Sequence, residues 1–182
     1  ASGKYITSAN TDDRHRKDAL EIMADYLDAH PEFALLYAGQ IDTSIPHETF
    51  ETTTSAKVLN WPAYSYAELE RHCIIGSQPT WRKSLHDKYG YFREDLSSAG
   101  DYEFWLRIGR QEIFYRYPDT LGLYFRNPEG IEHGSQVSEQ ETMKIWHEYG
   151  MFERGIPVIL NDRIITQAQV PQFTVPINTS KP

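Results

Sequence analysis

The apolar positions of this chain fall into two periods. Between Lys17 and His30 the positions Leu20, Met23 or Ala24, and Leu27 share one helical face, and Pro31 stops the pattern. Phe33 to Gly39 follows as an unbroken apolar run (Phe33, Ala34, Leu35, Leu36, Tyr37, Ala38), the pattern of a strand buried on both faces. Ahead of both lies Tyr5-Ile6-Thr7, which breaks off into a polar and acidic cluster ending Asn10-Thr11-Asp12-Asp13. That sequence predicts a short strand carrying Asn10, Asp12 and Asp13 to its carboxyl edge. Strand, helix and strand within about forty residues has the length of a βαβ unit, so the expected fold class is α/β.

Beyond this unit the patterning is shorter. Thr43 to Trp61 is rich in Thr, Ser, Pro and Glu without a period and is expected to be a loop. Tyr64 to His72 predicts a short helix, Cys73 to Gly76 a short strand, and the residues from about Trp81 to Gly90 a helix closed by glycine. Tyr102, Trp105, Leu106 and Gly109 recur on one face of an amphipathic helix whose first turn contains Asp101. Glu112–Tyr117 and Thr120–Arg126 alternate around Pro118-Asp119, which predicts two strands, as in a hairpin. Ser138 with Glu141 has the spacing of a capping box opening a helix from Glu139 to Tyr149. From Met151 onward only isolated apolar clusters remain. The expected organisation is therefore a domain over residues 1–150 and an irregular extension over 151–182.

Composition narrows the classes. A 182-residue chain with 40% hydrophobic residues is long enough for its own core. Acids outnumber bases 26 to 18, which argues against a general nucleic-acid surface. The single Cys73 excludes an internal disulfide and a thiolate zinc site. No apolar run has the length of a membrane span, no leader pattern opens the chain, and the expected setting is cytoplasmic.

Two acidic positions are candidates for chemistry. In open α/β sheets ligands bind outside the carboxyl ends of the strands, and hard cations prefer carboxylate oxygens there while keeping positions open for substrate phosphates. Asp12 and Asp13 fit that description, and equally fit a cap for the helix that follows. Asp101, kept ionised by a helix N-terminus, can accept a proton as a general base, and can equally be a cap. Trp81 and Tyr89 fit core packing as well as a cleft wall. His133, in the Gly-rich polar run Arg126–Ser135, is the only histidine near that loop.

Gly3-Lys4-Tyr5-Ile6, Asn10-Thr11-Asp12-Asp13, Leu20 and Tyr26-Leu27-Asp28-Ala29-His30-Pro31-Glu32, taken together, resemble family 2 of the inverting glycosyltransferases. Its GT-A domain, a mixed sheet flanked by helices, carries a Gly-x-Tyr-Ile strand, an Asp-x-Asp metal motif and a helix ending near His-Pro. Asn10 stands where the family has its first Asp, so the resemblance makes Asp12 the direct ligand of a divalent cation (Mn²⁺ or Mg²⁺). Asn10 and Asp13 then lie beside it against a nucleoside-diphosphate sugar. The family's Glu-Asp-x-x-x-Trp pattern matches Asp101 and Trp105, with Gly100 in place of the Glu, and implies that Asp101 is the catalytic base. An arginine followed by a helix closing on glycine implies an acceptor side at Trp81, Arg82 and Trp105. A late loop supplying a further metal ligand implies His133.

The resemblance runs from about Gly3 to Ser138. It places the start of the chain inside such a domain, after the nucleoside-binding strands, and so implies no turnover by the isolated chain. The partners it implies are a nucleotide-sugar donor and a hydroxyl-bearing acceptor. The Gln-x-x-Arg-Trp signature of processive synthases is missing, which favours single-sugar transfer. Two other functions fit the same residues: a nucleotidyltransferase, and a non-catalytic binding or assembly module that has lost turnover. A haloacid-type phosphatase is disfavoured, because Asn10 occupies the position of its nucleophile.

Overall fold

A computed structural model describes residues 2–130 and 136–165. Its elements are β1 (Tyr5–Thr7), β2 (Arg14–His15), α1 (Ala19–Ala29), β3 (Phe33–Thr43), β4 (Val58–Leu59), α2 (Tyr66–Arg71), β5 (Thr80–Arg82), α3 (Ser84–Tyr89), α4 (Gly100–Gly109), β6 (Ile113–Phe125), α5 (Val137–Glu148), β7 (Val158–Leu160) and β8 (Arg163–Ile165). The main sheet runs β1-β5-β3-β6-β2, with β4 also paired to β3. Among the described residues only the β3–β6 pairing is parallel. This mixed sheet with helices on its faces has the expected fold class.

β3 is the spine, and its alternation sorts the two layers. Leu36 packs with Ala19, Met23 and Leu27 of α1 and Leu121 of β6 on one face. Leu35 and Tyr37 join Phe104, Trp105 and Phe114 in the larger core on the other. The α1 residues are spaced i, i+4, i+8, which is the stripe a helix must carry to bury one side. The helix is shorter than the Lys17–His30 pattern, and Leu20, expected on the apolar face, is 48% exposed while Ala19 takes the buried position; Pro31 follows its last turn.

The structure corrects several expectations. β6 is one thirteen-residue strand, not a hairpin, and pairs with β3 from Phe33↔Ile113 to Thr43↔Phe125. The register steps from Ala38↔Tyr117 to Gly39↔Thr120, so Pro118 and Asp119 are a bulge inside a strand. Proline has no N–H to give a ladder, and a bulge lets the chain skip it. Cys73–Gly76 is not a strand; Ile74 and Ile75 are buried core residues and Gly76 turns at φ 68°. The strand of this region is β5, and the helix starts after it, at Ser84. Ser138 is no cap, since α5 begins at Val137 without a side-chain cap. Nor does the core end at residue 150: Met151, Phe152 and Val158 are buried in the same cluster as α4. β7 and β8 form a hairpin turned by Asn161 and Asp162 at φ 48° and 60°.

Candidate functional site

β1 and β2 lie at opposite edges of the sheet, so the six residues Ser8–Asp13 carry the chain across it. The strand therefore stops three residues before Asn10, and the polar cluster is a crossing, bent at Thr11 and Asp12. Its contacts explain the conformation. The Thr7 hydroxyl donates to the Pro79 carbonyl at 2.8 Å, and a His15 ring nitrogen lies 2.9 Å from the Ser8 carbonyl. Asp13 is 6% exposed; its carboxylate accepts the Phe125 backbone N–H at 3.0 Å and the Asn10 amide at 2.8 Å. Asp13 thus ties the crossing to the end of β6, and Asn10 is turned towards it. Asp12, between them, is exposed.

α4 is joined to the start of β6 through three residues, and its Trp105 packs against Phe114 at that start and against Trp81 of β5. Asp101 is in its first turn, exposed, with a carboxylate oxygen 2.7 Å from the Tyr102 N–H. Asp101 thus belongs to a helix packed on the Leu35 face of β3, whereas the crossing that carries Asp12 precedes α1 and is tied through Asp13 to the carboxyl end of β6.

That end carries a further charged group not evident from the sequence. Asp42, near the end of β3, is 4% exposed and accepts Lys57 at 2.7 Å and Arg126 at 2.6 Å on one oxygen. Burial alone would raise its pKa, but the two cations outweigh that and hold the carboxyl below its usual range. The signal was faint, an acid closing an apolar run and an arginine closing another. The local pattern does not reveal that β3 and β6 end side by side.

The residues expected on the acceptor side have structural partners instead. Trp81 and Trp105 are 2% and 1% exposed and meet edge-to-face with centroids 5.1 Å apart. The Trp81 indole N–H donates to His86 Nε2 at 3.0 Å. Burying a large aromatic contributes roughly 1.5–3 kcal/mol, and side chains this enclosed present no surface to an acceptor. Arg82 is half-buried and closes the C-terminal end of α1, donating to the carbonyls of Leu27 at 2.6 Å, His30 at 3.1 Å and Phe33 at 2.9 Å. His133 lies outside the described residues.

Among the described residues no three His, Cys, Asp or Glu side chains converge as a metal cluster. With Asp13 committed to Phe125 and Asn10, Asp12 is the carboxylate of the crossing open to solvent. One such carboxylate fits Mg²⁺ or Mn²⁺ of the kind that draws its other ligands from water and substrate phosphates.

No family model matches the sequence. The fold is similar to that of S. aureus TarS, a glycosyltransferase. The structure of TarS residues 1–349 superposes with a TM-score of 0.54 at 18% identity, covering 89% of this chain and 43% of that one. A second TarS structure gives a TM-score of 0.52 at 18% identity, covering 89% and 26%. The chain thus spans less than half the length of either structure. At this identity the similarity establishes a glycosyltransferase-like fold.

Proposed function

We propose that this chain is the metal-binding and acceptor-side portion of an inverting glycosyltransferase that moves a sugar from a nucleoside-diphosphate donor to an acceptor hydroxyl. What supports the reading is that, in a chain with a glycosyltransferase-like fold, Asp12 is exposed on the crossing between β1 and β2 and Asp101 is exposed in the first turn of a helix. Asp12 would hold a divalent cation, which when bound supplies charge neutralisation to the departing diphosphate. Asn10 and Asp13 fix the turn from which Asp12 projects. The Asp101 carboxylate takes the proton of the acceptor hydroxyl as its oxygen bonds to the anomeric carbon. The bond from that carbon to the diphosphate oxygen breaks on the opposite face, and the configuration inverts. The positive end of α4 keeps Asp101 ionised for this role.

A second reading, a binding module without turnover, is favoured by one observation. The crossing has one solvent-open carboxylate where the resembled motif has an additional acid, at Asn10. Asp101→Asn separates the readings, since asparagine keeps the shape and capping ability but takes no proton. In the full polypeptide, turnover of nucleotide sugar should fall by about 10²–10⁴-fold, with donor binding unchanged and the melting temperature within about 4 °C, because a dipole contact contributes only about 0.3–1 kcal/mol. Retained turnover would reject Asp101 as the base.

A further inference from the structure

Glu141, expected to cap its own helix, reaches instead from α5 to the segment ahead of α4. Its carboxylate accepts three consecutive backbone N–H groups, from Ser97 at 2.7 Å, Ser98 at 2.8 Å and Ala99 at 2.9 Å. These amides precede the first turn of α4 and have no helical carbonyl to bond, and Ala99, at the N-cap, brings no capping side chain. Burial alone would raise the carboxyl pKa of Glu141, but the three amides outweigh it and hold the group below its usual range. It is anionic at neutral pH, where such hydrogen bonds are strongest.

α5 does not need this contact for its own placement. Ile145 and Trp146 are completely buried, the Trp146 indole donates to the Tyr102 hydroxyl at 2.9 Å, and the Tyr149 hydroxyl donates to Glu103 at 2.8 Å. The same stretch is also linked to α5 by a partly exposed network, in which Arg93 pairs bidentately with Asp95 and reaches Glu148 while Lys144 binds Asp95, but none of these groups touches the amides of Ser97, Ser98 and Ala99. Glu141 is therefore a carboxylate anchored by one helix and committed to the backbone of another segment. Only Gly100 separates that backbone from Asp101, and glycine has no side chain to stiffen the link.

We propose that Glu141 is the positioning residue for Asp101, a role that rests on Asp101 being the base. Holding the three amides fixes the angle at which the chain enters α4, and with it the place of the Asp101 carboxylate. A displacement of about 1 Å at such a group costs about 10²-fold in rate.

Two variants test it. Glu141→Gln opposes a side-chain N–H to at least one of the three backbone donors, while Glu141→Asp keeps the charge. In the ¹⁵N-labelled chain, Glu141→Gln should speed amide exchange at residues 97–99 by about tenfold or more. It should also shift or broaden the Asp101 and Tyr102 amide signals and leave the Trp146 indole signal in place, and Glu141→Asp should recover part of the change. In the full polypeptide, with a set of UDP-, GDP- and dTDP-sugars and nucleoside diphosphate release as the readout, Glu141→Gln should lower kcat by about 10²-fold without raising donor KM. Faster exchange at 97–99 with the Asp101 and Tyr102 signals and kcat unmoved overturns the positioning role. Full turnover in Asp101→Asn overturns the base assignment beneath it, an outcome distinct from the first.

Discussion

Replacing Arg82 separates a structural arginine from an acceptor-binding one. Its guanidinium spans the carbonyls of Leu27, His30 and Phe33, the last turn of α1 and the start of β3, while its backbone belongs to β5. One side chain thus joins three elements where the orphan carbonyls of a helix end need donors and its negative dipole end favours a cation. The site is half-exposed, so water replaces part of what Arg82→Ala removes. About 1 kcal/mol for each of three bonds, below the usual range for a charged donor, gives about 3 kcal/mol. For a domain of this size that lowers the melting temperature by about 6–12 °C. Arg82→Lys, with one ammonium in place of a planar fork, should recover about a third of the loss. Calorimetric or urea unfolding of the two variants decides. Arg82→Ala melting within about 2 °C of the parent, combined with a raised acceptor KM, would refute the structural role and restore an acceptor-side arginine.

Asp12 and Asp13 should part company in the same way. Asp12→Ala should abolish the heat of Mn²⁺ binding in the presence of nucleoside diphosphate without moving the melting temperature. Asp13→Ala, which strips the part-buried Phe125 N–H of its acceptor, should cost about 1–3 kcal/mol of stability. Equal Mn²⁺ binding by Asp12→Ala and the parent removes the metal assignment. The depressed pKa of Glu141 also predicts a pH dependence. Its contribution is complete above the ordinary glutamate value of 4.5 and is lost as the pH falls through its lower folded value. The urea midpoint of Glu141→Gln should therefore fall less than that of the parent on going from pH 6 to pH 3, and parallel curves would contradict this.

What the sequence made legible was local. Met23 and Leu27 on the buried stripe of α1, its end before Pro31, the doubly buried β3, and Asp101 in the first turn of α4 all follow from periods of 3.6 or 2 and from breakers, which act within a few residues, whereas Ala19 rather than Leu20 completes the stripe. What escaped was set by partners far along the chain. Pro118-Asp119 reads as a turn until β3 is known to lie alongside, when a bulge satisfies the same residues. Ser138 and Glu141 have capping-box spacing, yet three amides some forty residues upstream claim the carboxylate. Trp81 and Trp105 carry the same symbols whether they line a cleft or a core, and only the closure of α4 over β5 decides between them. At the site, the acidic residues of the crossing were visible. That Asp13 faces inward and Asp12 outward was not, because it depends on the end of β6.

The pairing of β3 with β6 also governs how this chain is made. Its partners stand about eighty residues apart, so closing that loop costs about 4 kcal/mol of chain entropy before the first rung repays it. Such non-local pairing slows folding. During synthesis at about 5–20 residues per second, β3 emerges several seconds before the strand that covers its edge. Leu35 and Leu36, wholly buried at the end, spend that interval beside an unpaired backbone edge, which is a template for another chain. The vulnerable moment of this protein is thus the wait for residues 113–125. Slowing translation between β3 and β6 should raise aggregation of the nascent chain, while the same delay after Phe125 should not.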